Sequence, residues 1–194
     1  MSLRIDFPLK PTRATAQQVE TLVDRLGRLM AEIGNFLPQQ WMAHDAWNRR
    51  LFAHRVISHY KPPSTPASNM CKLSCAFMAA VIPELSVSAG DCHDGRSGGM
   101  LDIDGRWQTH FWLVHQRAII DPTASQFGYG SPGEILITAR DDPRYNANLP
   151  KFEVNNIMRN CRMTVGQWLH AWESRPADET PADNHGGHQG QAPA

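Results

Sequence analysis

The sequence has little cysteine, no excess of either charge and no long apolar run, and each shortage excludes something. Four cysteines in 194 residues are too few for a disulfide framework. Their positions, 71, 75, 92 and 161, form no paired Cys-x-x-Cys knuckles, so no structural zinc is expected. Nineteen Lys and Arg balance nineteen Asp and Glu. Nothing in that balance favours nucleic acid or an anionic membrane as a partner. No apolar stretch is long enough to cross a bilayer. The opening residues, Met1 to Pro8, lack the charged-then-apolar plan of a signal peptide. There is no internal repeat and no cofactor-binding signature. The expectation is a reducing, cytoplasmic protein with no metal and no cofactor. Export by a route without a cleaved signal and the oligomeric state both stay open.

What is present is a buried-looking stretch with chemistry in it, running from Trp107 through Gln108, His110, Phe111 and Trp112 to Asp121, Thr123, Gln126 and Phe127. Leu113 and Val114 stand before a short polar turn, and Ala118, Ile119 and Ile120 after it. Two β-rich runs joined this way read as a hairpin. Side chains alternate faces along a strand, so loop length decides what meets what. A two-residue loop at Gln116-Arg117 pairs His115 with Ala118 and Trp112 with Asp121. His110 and Asp121 are then diagonal neighbours on one face, roughly 7–8 Å apart. A four-residue loop would set them directly opposite, and a three-residue loop would separate them. An imidazole beside a carboxylate is the orienting half of a catalytic triad.

A nucleophile is available upstream. A Pro/Ser-rich loop from Lys61 to Met70 leads into a helical run from Cys71 to Ile82, with an apolar stripe at Leu73, Phe77, Ala80 and Val81. A thiol at a helix N-terminus meets the positive end of the macrodipole, where a thiolate is favoured. The free N–H groups of that first turn can also donate to an oxyanion. Cys71 stands at that position. Cys75, one turn in, reads as packing.

The rest of the chain carries fewer signals. Residues 1–13 read as irregular with a short strand at Leu3–Phe7. Thr15 is an N-cap for a helix from Ala16 to Ile33, which Gly34-Asn35 ends. A second helix spans Pro38 to His59, with Trp41, Trp47, Leu51, Val56 and Ile57 as its apolar residues. Both helices lack motifs and read as a cover on the core; His44, His54 and His59 read as surface or capping histidines. Leu85–Ala89, Met100–Asp104, Arg106–Val114 and Ile135–Thr138 read as strands, with Asp104-Gly105 a hairpin turn. Residues 141–150 read as irregular, and 154–161 give no clear period. Thr164 begins a short helix with Gln167, Trp168 and Trp172. Cys92 and His93 lie on a Gly-rich loop, which gives a nucleophile and base no rigid support. With Asp94 they form a weaker, metal-site option. The segment 174–194 is Pro/Ala/Gly/Gln/His-rich and reads as a disordered tail in which His185 and His188 are solvated. The layout is α+β: one domain over 1–173, with a helical part at 14–60 and a catalytic core at 65–140.

A cysteine opening a helix, followed by strands bearing His and Asp, resembles the papain-like and transglutaminase-like cysteine enzymes. The local text, Cys71-x-x-x-Cys75-Ala76, then His110-Phe111-Trp112, then Asp121-Pro122-Thr123 to Gln126-Phe127, is similar to small bacterial members of that superfamily. Those read roughly as G-x-C opening a helix, H-[YFW]-W and D-x-T-x-x-Q-F. The resemblance covers about residues 65–130. This chain has Asn69 where the group usually has glycine. The resemblance implies a nucleophile helix packed on an antiparallel sheet, with Cys71 attacking a carbonyl, His110 shuttling the proton and Asp121 orienting His110. A peptide, isopeptide or glutamine side-chain amide is the expected substrate class, on a protein or peptide partner. Thr123 and Gln126 would tie the Asp-Pro-Thr turn, and Asn69 or Gln108 would add an oxyanion donor. Trp107 and Trp112 would wall a substrate groove. The alternative is a catalytically inactive papain-like module that binds a protein or peptide.

Overall fold

The computed structural model describes residues 13–93 and 96–176. The strand expected at residues 3–7, Asp94 of the metal-site option, and tail residues 177–194 lie outside them. The fold is mixed helix and antiparallel sheet. Helix α1 runs Arg13–Ala53 and α2 runs Cys71–Val81. Strands β1 (Ser86–Gly90), β2 (Gly99–Leu101), β3 (Trp107–Gln108), β4 (His110–His115) and β5 (Ala118–Asp121) follow. A 3-10 turn at Ala124–Phe127 leads to β6 (Leu136–Ala139) and β7 (Tyr145–Asn146), then α3 (Lys151–Asn160) and α4 (Arg162–Glu173). Among the described residues no helix is long and apolar enough to cross a membrane.

The strands form two sheets, ordered β1-β4-β5-β6 and β3-β2-β7. In the larger sheet His115 pairs with Ala118, Val114 with Ile119 and Leu113 with Ile120. The loop is therefore the two-residue one, Gln116-Arg117, with Gln116 at φ +52°. That register brings His110 and Asp121 to one face. The expected strand 106–114 is divided at Thr109: β3 belongs to the small sheet and β4 to the large one. Gly99 makes this division possible. It sits at φ +92°, and a Cβ there would lie 2.0 Å from the Gln108 carbonyl oxygen, so only glycine lets the strands approach this closely. The strand expected at 100–104 stops at Leu101 because Asp102 turns to accept the backbone N–H groups of Asp104 (3.0 Å) and Arg106 (2.9 Å).

Helix α2 is the hub of the core. Its buried side chains are Cys71, Ser74, Cys75, Phe77 and Met78. This differs from the expected stripe, since Leu73 is half-buried and Ala80 exposed. A polar Ser74 is tolerated inside because the Trp41 indole N–H donates to its Oγ at 2.9 Å. On the sheet side α2 packs against β4. On the other side Phe77 meets Phe36, Trp168 and Trp172 in stacked and edge-to-face contacts at 5.2–6.1 Å.

The two expected N-terminal helices are one. Helix α1 continues through Gly34 and Pro38. Ile33, Phe36, Leu37 and Trp41 are buried in the same core cluster on both sides of the expected break, so packing overrides the local breakers. Gly34 is there for a different reason. A Cβ on it would lie 2.5 Å from the Gly133 carbonyl oxygen, so the glycine admits a neighbouring loop. Past Trp41 the helix leaves the core: Met42, Trp47 and Phe52 are exposed. It ends at Ala53 rather than continuing to His59. His54 and His59 are exposed and His44 is half-buried.

Candidate active site

Cys71 is the first residue of α2, and no side chain caps that helix start. The approach to it is a turn with Asn69 at φ +65°. Asparagine is among the few side chains that tolerate this left-handed region, so it can stand where a glycine would. Ser68 braces the loop, its Oγ accepting from the Thr65 N–H at 3.0 Å. Met70 N–H donates to the Ala67 carbonyl. Cys71 is thus held by packed backbone on both sides and is 7 % exposed.

His110 opens β4 and is fully buried, as is Asp121 at the end of β5. His110 Nε2 lies 2.7 Å from Asp121 Oδ2. The Cys71 side chain stands close enough to His110 to act on its charge. With Nε2 committed to Asp121, Nδ1 is the ring nitrogen left for the thiol side. Burial by itself would lower the His110 pKa. The Asp121 charge and hydrogen bond, followed by the contact with Cys71, outweigh it and push His110 up to about 9. At neutral pH His110 therefore holds its proton.

A buried carboxylate is costly unless it is hydrogen-bonded, and Asp121 is surrounded by donors. Oδ1 accepts from the Thr123 N–H at 2.9 Å and the Thr123 hydroxyl at 3.3 Å. Oδ2 accepts from His110 and from the Tyr145 hydroxyl at 2.9 Å. Aromatic rings enclose the pair: Phe127 edge-on to His110 at 4.7 Å and Trp112 stacked on it at 6.0 Å.

Cys71 opens into a cleft of about 620 Å³, walled by the loop from Lys61 to Asn69, by Asp102 to Thr109 on the small sheet, and by Gln126 and Phe127. Asn69 and Gln108 both line it. Gln108 is fixed there, its Nε2 donating to Asp102 Oδ2 at 2.9 Å. Thr123 braces Asp121, consistent with its expected place at the turn. Gln126 bonds the Asp-Pro-Thr turn through its backbone N–H, which donates to the Thr123 carbonyl at 3.0 Å, while its side-chain amide reaches toward His110 Nδ1, 3.5 Å away. The tryptophans depart from expectation. Trp112 is 2 % exposed and packs against His110 and Tyr145, while half-buried Trp107 is not among the lining residues. The groove wall is largely polar instead.

Cys75 serves packing, its thiol donating to the Phe111 carbonyl at 3.3 Å. Burial, followed by the nearby Asp121 charge, pushes that thiol well above the ordinary range. Tyr145 is the residue that sequence reasoning missed. It lies in a stretch read as irregular, and a two-residue strand leaves no period to read.

No protein-family model, no curated protein and no solved structure matches the chain.

Proposed function

We propose that the protein is a thiol-dependent hydrolase or acyltransferase acting on an amide bond, with Cys71 as nucleophile, His110 as acid and base, and Asp121 as orienting carboxylate. The observation that carries this reading is a helix-start cysteine that lines a cleft and acts on His110, which is itself paired with Asp121 at 2.7 Å in the core. The order of helix, His-bearing strand and Asp-bearing strand supports a papain-like or transglutaminase-like arrangement. A cleft with largely polar walls suits a protein or peptide substrate.

Cys71 Sγ, its proton passed to His110, attacks the substrate carbonyl carbon, forming a C–S bond and an oxyanion. Free N–H groups of the first turn of α2 receive that oxyanion, and Gln108 stands on the wall of the same cleft. His110 passes its proton to the leaving nitrogen as the C–N bond breaks, leaving a thioester. Water or an amine then attacks the thioester carbonyl while His110 takes the incoming proton, and the C–S bond breaks to release the acid or the new amide and return the Cys71 sulfur. Asp121 keeps the imidazole in one tautomer throughout.

One observation favours a second reading, an inactive module that binds a peptide: Cys71 is only 7 % exposed. The rate of iodoacetamide labelling against pH, resolved for each cysteine by mass spectrometry, separates the two. An active site predicts fast labelling of Cys71 at pH 6, slowed in His110→Ala. Labelling no faster than an ordinary thiol with a pKa of about 8.5 would reject the enzyme reading.

A further inference from the structure

We propose that Tyr145 is a positioning residue of this site, its hydroxyl holding the buried Asp121 carboxylate in the orientation that meets His110. The proposal rests on the reading of Cys71, His110 and Asp121 as one working unit. The contacts behind it are local and specific. Tyr145 Oη and His110 Nε2 converge on the same oxygen, Asp121 Oδ2, at 2.9 and 2.7 Å. Thr123 occupies the other oxygen. The carboxylate is thereby pinned from two directions, by its own turn and by a strand of the other sheet.

The placement of Tyr145 is itself well determined. Strand β7 pairs with β2, Tyr145 opposite Met100, and Met100 is fully buried. The Tyr145 ring lies edge-on to Trp112 at 5.2 Å and tilted to His110 at 6.5 Å. Burial, followed by the Asp121 charge and hydrogen bond, raises the phenol far above its ordinary range, so it stays a proton donor at every working pH. The other titratable groups facing this trio are Cys71 and Cys75 from α2. Asp142 and Arg144, on the turn before β7, also act on the phenol and are paired with each other at 2.9 Å.

The physical consequence follows from who shares Oδ2. When His110 carries its proton, the carboxylate is compensated by a positive neighbour. When His110 is neutral, the carboxylate depends more on its remaining donors. The Tyr145 bond therefore stabilises the state with neutral His110 more than the state with charged His110. It tempers the proton affinity that Asp121 confers on His110, and it eases the proton transfer from His110 to a leaving group.

The experiment is a ring-nitrogen NMR titration of His110 in the full chain, in wild type, Tyr145→Phe and Tyr145→3-fluorotyrosine, run beside the Cys71 alkylation profile. Phenylalanine keeps the ring contacts with Trp112 and His110 and removes only the hydroxyl, so a purely structural role would leave the titration in place. The expected result is an upward shift of the His110 midpoint by roughly 0.5–1 unit in Tyr145→Phe, since only part of a charge-assisted bond distinguishes the two states. The fluorinated phenol is the stronger donor and should move the midpoint down. If Tyr145→Phe does not fold, the fluorinated variant decides alone. Unchanged His110 midpoints and ring shifts in the folded variants would overturn the proposal. A His110 titration that responds to Tyr145 while Cys71 labels slowly in wild type would support the Tyr145 role and reject the nucleophile reading alone.

Discussion

Two Cys–His–Asp groupings stand among the described residues, and they differ in support. In one, Cys71, His110 and Asp121 come from a helix and two paired strands, with both the imidazole and the carboxylate fully buried. In the other, Cys92 and His93 stand beside Asp91 on the connection after β1, where the His93 side chain is 76 % exposed. That group is also bonded. His93 Nδ1 contacts Asp91 Oδ1, and Thr109 Oγ1 donates to the same oxygen at 2.6 Å. The Thr109 hydroxyl bond, followed by the bond to His93, holds the Asp91 carboxyl down at about 2. The residue types match, but water competes for every contact in the second group and the backbone under it is a loop. Chemistry that needs a fixed hydrogen bond is better served by strands whose register is locked by a core than by neighbours in sequence.

The sharpest way to break the comparison is to exchange the cysteines. Cys71→Ser should abolish fast labelling at pH 6 and reduce any amide turnover by roughly 10⁴-fold or more. Cys92→Ser should leave both at wild-type values. Turnover that survives Cys71→Ser but not Cys92→Ser would reverse the assignment of the two groups.

The histidines should separate next. His110→Ala strands the Asp121 charge in the core, which costs about 3 kcal/mol of stability, and it should slow Cys71 labelling by roughly 10²-fold. His93→Ala should change neither. Urea denaturation and the alkylation assay read the two effects separately, and equal effects from both substitutions would erase the distinction.

The buried pair should also leave a signature in stability against pH. His110 binds its proton more tightly in the folded chain, with a pKa of about 9, than in an unfolded one, where it is about 6.5. The resulting stabilisation is full below pH ~6.5 and is lost as pH rises through about 9. Unfolding midpoints in urea should fall across that window in wild type. Asp121→Asn should remove the His110 part of the slope and leave the smaller loss due to the buried Cys75 thiol. An identical slope in the variant would show that the pair is not coupled.

The smallest effect should come from the turn before Cys71. Asn69→Gly relieves a left-handed residue and should leave Cys71 labelling intact. Asn69→Val places a β-branched residue at φ +65° and should cost about 1–2 kcal/mol, read as a lowered Tm. Equal melting of the two variants would mean that this turn does not constrain the helix start.

The site was largely legible because its signals are local. A short polar gap between β-rich runs specifies a hairpin and leaves only a few registers, of which the chain adopts the two-residue loop that puts His110 and Asp121 on one face. A cysteine after a Pro/Ser-rich loop and before a helical run specifies a helix start. The misreadings arose where long-range packing outvoted local signals. Gly34 and Pro38 read as breakers, yet Ile33, Phe36, Leu37 and Trp41 bury one continuous helical face. Trp107 and Trp112 read as groove wall because large aromatics suit grooves, but their depth is set by a sheet boundary at Thr109. Gln126 read as a turn residue, which its backbone is, but the 3-10 turn at 124–127 also brings its side-chain amide toward His110.

By itself the sequence determined the α+β class and the helix start at Cys71, and narrowed the pairing of His110 with Asp121 to a choice among three loop lengths, because these depend on periodicity and turn signals within a few tens of residues. Only the tertiary structure decided that α1 is unbroken, that the cleft wall is the polar edge of a second sheet, and that Tyr145 reaches Asp121 from 24 positions away. Those depend on which surfaces exclude water together, a property of the packed chain and of no segment within it.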